Sequence, residues 1–101
     1  MIVYNVTVNV DDDIQEEWVQ WMKMVHIPDV LKTGMFSGHK FLKLLNEDTV
    51  NPGQTYAVQY FCESLNHLER YLQDFAPALR DDVMNRYQGK FVAFRTFLEE
   101  V

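Results

Sequence analysis

Asn5, Thr7 and Asn9 recur at every second position of the first apolar stretch, so on a strand they share one face. Three neutral hydrogen-bonding side chains in a row can orient a ligand or pair with one another, but none is an acid, a base or a strong nucleophile. Proton transfer needs a histidine, and the chain has three, His26, His39 and His67. His39 is the best placed of them, because a strand histidine beside Lys40 and Lys43 can face the same open side of a sheet as the Asn5 row. Gln59 and Arg95 sit in later apolar stretches and complete a candidate ligand-binding set if their strands turn them to that side. His26 reads as a helix-end histidine meeting the last carbonyls, and His67 as a solvated residue in the first turn of a helix.

Other chemistries lack their spacing. The histidines show no HxH or HExxH pattern and the single cysteine, Cys62, has no CxxC partner, so no metal site is assigned. Cys62 ends an apolar strand and reads as a small buried hydrophobe. Asp11-Asp12-Asp13 is not followed by the glycine and terminal glutamate of a calcium loop. These residues suit a helix start instead, with Asp13 and Glu16 at capping-box spacing. No Ser-His-Asp arrangement, phosphate loop or G-x-S-x-G is present, so no catalytic residue and no cofactor is assigned. The run Gly89-Lys90-Phe91-Val92-Ala93-Phe94 faintly echoes an RNA-recognition signature, but on the last strand rather than the third, and Phe91 and Phe94 read as core.

Composition narrows the function classes further. The chain has 101 residues, of which 48% are apolar and 14% aromatic, enough for one domain over residues 1–101 with its own core. A formal charge of −6 opposes nucleic-acid binding, which depends on clustered cations. Lys32, Lys40 and Lys43 form a small patch, not a groove. No apolar run approaches the length of a membrane span. One cysteine and an opening without the basic and apolar regions of a signal peptide suggest a cytoplasmic protein in a reducing compartment.

The elements that must hold these residues follow from periodicity. Residues 2–10 alternate strictly, with Ile2, Tyr4, Val6, Val8 and Val10 on one face and the Asn5 row on the other. A helix begins at the aspartates, its apolar arc made by Ile14, Trp18, Trp21, Met22 and Val25. Pro28 predicts a break over residues 26–29 and a short second helix closed by Gly34. A strand over 36–46 alternates poorly, leaving open which residues face the helices. Residues 46–53 are turn material, with Pro52-Gly53 at the centre of a type II turn, before a strand over 54–62. Ser64 caps a helix carrying Leu65, Leu68, Leu72 and Phe75. Pro77 interrupts it, Leu79, Val83 and Tyr87 continue it, and a last strand runs over 90–98.

The order β-α-β-β-α-β, with right-handed crossovers, predicts an α+β, ferredoxin-like sandwich: a four-stranded antiparallel sheet with its helices on one face. This order, the Trp-rich first helix running into His26-Ile27-Pro28 and Thr33-Gly34-Met35-Phe36, and Tyr56-Ala57-Val58-Gln59-Tyr60 together resemble a family of small bacterial proteins known as domain of unknown function 4286. The topology is similar, more distantly, to the dimeric α/β-barrel group, which includes the antibiotic-biosynthesis monooxygenases. The first resemblance implies no activity. The second implies that two sheets pack face to face around an interior that binds small ligands. Some barrel enzymes that degrade haem join an Asn, a Trp and a His, but both tryptophans here lie on the first helix, away from that arrangement.

Three functions fit these observations. The first is a homodimeric protein, paired through its open sheet face, that binds a small apolar or aromatic ligand. The second is a structural or regulatory dimerisation module without a ligand. The third is a cofactor-independent barrel enzyme of monooxygenase or isomerase type.

Overall fold

The alternation at the start of the chain is realised as β1 (Ile2–Val10), whose Ile2, Tyr4, Val8 and Val10 are buried under the helices. The structure is a computed structural model that describes residues 1–46 and 52–101. β1 pairs antiparallel with β3 (Gln54–Cys62) on one side and with β4 (Phe91–Glu99) on the other, while β2 (Gly38–Lys43) adds to the outer edge of β3. The resulting order β2-β3-β1-β4 is the ferredoxin-like sheet that the sequence predicts. Residues directly opposite across a ladder share a face, so the register assigns every side chain to one of two sides. Tyr4, Val6, Val8, Tyr56, Val58, Tyr60, Ala93 and Arg95 lie on the helix side. Asn5, Thr7, Asn9, Gln59 and Phe94 lie on the other, which no helix covers among the described residues.

The helical layer departs from the periodicity in one instructive place. Asp12–Ile14 form a 3₁₀ entry turn, to which the preceding Asp11 gives no side-chain cap, and α1 (Gln15–Trp21) follows directly. The expected Asp13–Glu16 box is absent because Asp13 reaches across to Lys90 at 2.8 Å. Nor does the helix break before Pro28. Met22–His26 form a π-helical turn, in which Ile27 N–H donates to Met22 C=O, and α2 (Ile27–Lys32) continues in helical geometry. Proline brings no N–H to the i−4 bond, and the wider turn lets the backbone pass it without reversing. The same turn delays the helical phase. Val25, expected in the apolar arc, is exposed, whereas Ile27 and Val30 are buried. His26 is therefore no helix-end residue. It lies inside a continuous helical run.

Beyond the sheet hairpin, Ser64 caps α3 (Leu65–Asp74) as expected, its hydroxyl accepting from His67 N–H at 3.3 Å. Leu68 and Tyr71 point inward, while Leu65 is exposed. Pro77 then starts α4 (Ala76–Tyr87), which leans Leu79, Val83 and Tyr87 onto the sheet. β2 is shorter than expected, and the turn expected over residues 46–53 falls largely on 47–51, outside the described residues. Gly53 has φ +89, and a Cβ there would collide with the carbonyl of Val10, so that position requires glycine. Cys62 is buried and unpaired, and burial pushes its thiol pKa upward.

Candidate functional site

Between the helices and the sheet lies a cavity of about 280 Å³. Its floor is made of the small side chains Val6, Val8, Val58 and Ala93, which leave depth that larger residues would fill. Trp18, Met22 and His26 wall it from the first helical run, and Leu79, Val83 and Met84 from α4. One end is polar, formed by Tyr4, Tyr60, Tyr71, Arg80 and Arg95.

At that end two guanidinium groups meet one phenol. Arg80 Nη2 and Arg95 Nε each donate to the Tyr4 hydroxyl at 3.1 Å. The Arg80 Nε and the Tyr60 hydroxyl are buried without a partner among the described residues. Among those residues the ion pairs are Arg70–Asp74, Arg86–Glu17 and Lys90–Asp13, so neither Arg80 nor Arg95 has a carboxylate within 4.0 Å. Burial raises the Tyr60 and Tyr71 phenols well above their ordinary pKa, with the neighbouring tyrosines adding to the effect. Both remain hydroxyl groups at any physiological pH. The cluster therefore presents donors and fixed positive charge.

His26 faces the same space. Its ring stacks on Trp21 at 5.2 Å between centroids. Burial lowers its pKa to about 4, with Arg95 acting in the same direction and Asp29 and Asp82 opposing. The imidazole is therefore neutral at pH 7, an acceptor as well as a donor.

The six residues singled out from the sequence do not converge. Asn5, Thr7, Asn9 and Gln59 share the uncovered face of the sheet, where both asparagine amides donate to threonine hydroxyls while Asn5 Oδ1 is buried without a partner among the described residues. Asn5 Nδ2 donates to Thr7 Oγ1 and Thr96 Oγ1, both at 3.1 Å, and Asn9 Nδ2 donates to Thr55 Oγ1 at 3.0 Å. His39 lies opposite Tyr60 and Arg95 opposite Val6, which puts both on the helix side. Arg95 reaches the cavity, while exposed His39 on the edge strand is not part of its wall. Phe94, read as core, is instead exposed on the uncovered face, because Phe91 and Phe94 stand an odd number of residues apart.

Sequence reasoning passed over Tyr4, Tyr60, Tyr71 and Arg80, and read His26 as a helix-end residue. A signal existed for Arg80. Ala76, Arg80, Val83 and Tyr87 follow one another at helical i+3 and i+4 steps, so a guanidinium interrupts the apolar stripe of α4. Tyr4 and Tyr60 likewise carry hydroxyls on otherwise apolar strand faces.

A model of a family described as Domain of unknown function (DUF4286) matches residues 1–101. No curated protein matches. Among solved structures, an EthD family protein from Bacillus halodurans superposes with a TM-score of 0.73 at 13% identity, covering 100% of both chains. HapK from Hahella chejuensis gives 0.72 at 7% identity, over 100% of this chain and 93% of its own. A Deinococcus radiodurans protein provisionally assigned as an antibiotic biosynthesis monooxygenase gives 0.59 at 16% identity, over 100% and 93%. At such identities the likeness is one of fold, and the resemblance to the dimeric α/β-barrel group holds at that level.

Proposed function

This chain belongs to the family described as Domain of unknown function (DUF4286), and we propose that it is a homodimeric small-molecule-binding protein whose ligand occupies the cavity between sheet and helices. The observation that carries this reading is the cavity itself. A packed domain of this size ordinarily holds few voids larger than a water molecule, and here about 280 Å³ is left open beside two guanidinium groups that have no carboxylate within 4.0 Å among the described residues. Keeping such a space costs packing energy, and the mixture of an apolar body with a polar end suits a small aromatic or alicyclic molecule bearing a polar substituent.

The uncovered face supports the dimer. Val92, Phe94 and Leu98 of β4 and Leu42 of β2 stand exposed on it. Asn5 Nδ2 and Asn9 Nδ2 are already tied to threonine hydroxyls within the sheet, while Asn5 Oδ1 is buried without a partner among the described residues and is a group that a second copy can satisfy. A second copy of the same sheet supplies a matching apolar surface across a two-fold axis. In this arrangement Asn5, Thr7, Asn9 and Gln59 are interface residues, and Arg95 is the one member of the sequence-derived set that meets the ligand.

The test is isothermal titration with 1-naphthamide as a neutral aromatic probe. Wild type is expected to bind it, and Val83→Trp, which fills the cavity, to lose at least about tenfold in affinity. Equal binding by the two proteins would place the probe elsewhere and overturn the assignment.

A further inference from the structure

The polar end of the cavity is the feature that the proposed function leaves unexplained. Arg80 and Arg95 approach the same phenolic oxygen from different elements, α4 and β4, and like charges brought together in a partly dry site repel. Among the described residues no carboxylate lies within 4.0 Å of either, and the nearest acidic influence on this space is that of Asp29 and Asp82 on His26. The Tyr4 hydroxyl accepts both hydrogen bonds but brings no charge. Its own O–H donates to no described residue, and the buried Arg80 Nε and Tyr60 O–H also point at no acceptor. Every polar group that meets here thus has a donor to spare, and an anion is the complement that satisfies them.

Resting on the reading that the cavity holds a small molecule, we propose that this molecule is an organic acid, an aromatic or alicyclic carboxylate whose anionic group sits between Arg80 and Arg95. The apolar ring then lies over Val6, Val8 and Ala93, under Val83. Location favours this orientation. Arg80 is half-buried and Arg95 is exposed, so the charged end of the ligand stays near water while its body is dried. Two guanidinium forks offer the paired, planar donors that a carboxylate takes in bidentate fashion.

The experiment compares 1-naphthoate with 1-naphthamide by isothermal titration, since the two share a ring system and differ in charge. Wild type is expected to bind the acid at least about tenfold tighter than the amide. Arg80→Gln/Arg95→Gln should weaken acid binding at least about tenfold and erase that preference, and a preference that survives the double substitution would overturn the acid assignment. Arg95→Gln alone, at an exposed position, should weaken acid binding and serves if the double variant does not fold. Equal wild-type affinities for the two probes would overturn the acid assignment and leave the cavity reading standing. Binding of neither probe would overturn both.

Discussion

Arg95 Nε donates to the Tyr4 hydroxyl at 3.1 Å, linking two residues that face each other diagonally across the β1–β4 ladder. A guanidinium on the helix side of a sheet, bonded to a phenol rather than to a carboxylate, keeps its full charge available to whatever enters beside it. This contact, doubled by Arg80, gives the apolar gap between sheet and helices a cationic end.

The stability of the helix-on-sheet layer should rest more on Trp18 than on Trp21. Trp18 is 1% exposed and packs against Phe41 and Tyr56, whereas Trp21 is only partly buried. Trp18→Ala should cost about 3–5 kcal/mol, and Trp21→Ala clearly less. Denaturant midpoints of the two variants against wild type decide the order, and a smaller loss for Trp18 would contradict the packing described.

His26 should make stability fall in mild acid. Its folded-state pKa is depressed to about 4 from an ordinary 6.5, so between those values the unfolded chain binds the extra proton and the folded chain does not. The contribution is fully present above pH 6.5, declines as pH falls through that value, and is exhausted near pH 4. Its full extent is up to about 3 kcal/mol. Burial outweighs Asp29 and Asp82, which favour the charged ring, and Arg95 acts with burial against it. Chemical denaturation at a series of pH values should show the slope in wild type and a shallower one in His26→Gln.

The uncovered sheet face should govern association. Phe94→Asp places a charge on that face, on the edge strand β4, where Phe94 is 62% exposed on the single chain. Light scattering after size exclusion should report twice the 12.0 kDa chain mass for wild type and the single-chain mass for the variant. A wild-type protein that remains a single chain at high concentration would remove the dimer from the account.

Strand order, helix sides and the family resemblance were legible because they depend on strong, local patterns: the period-two alternation of residues 2–10, the Ser64 cap, and Pro77 at a helix start. The candidate site was legible only in part. Asn5, Thr7 and Asn9 do share a face, but β2 and β4 alternate too weakly for their phase to be read, so His39 and Arg95 were grouped with the wrong side. The π-helical turn shifted His26 inward by a mechanism that a fixed 100° step cannot represent. Arg80 was passed over because one charged residue near the edge of an apolar stripe ordinarily snorkels to water.

The most direct test of the central claim is a titration of isotopically labelled protein with 1-naphthoate followed by two-dimensional NMR, with assigned backbone amides and tyrosine and valine side chains. The account predicts perturbations centred on Tyr4, Val6, Arg80, Val83 and Arg95, with the amides of Asn5 and Thr7 shifting no more than their sequence neighbours. Perturbations centred on Thr7, Gln59 and Phe94, with Arg80 and Val83 unmoved, would contradict it and return the ligand to the opposite face of the sheet.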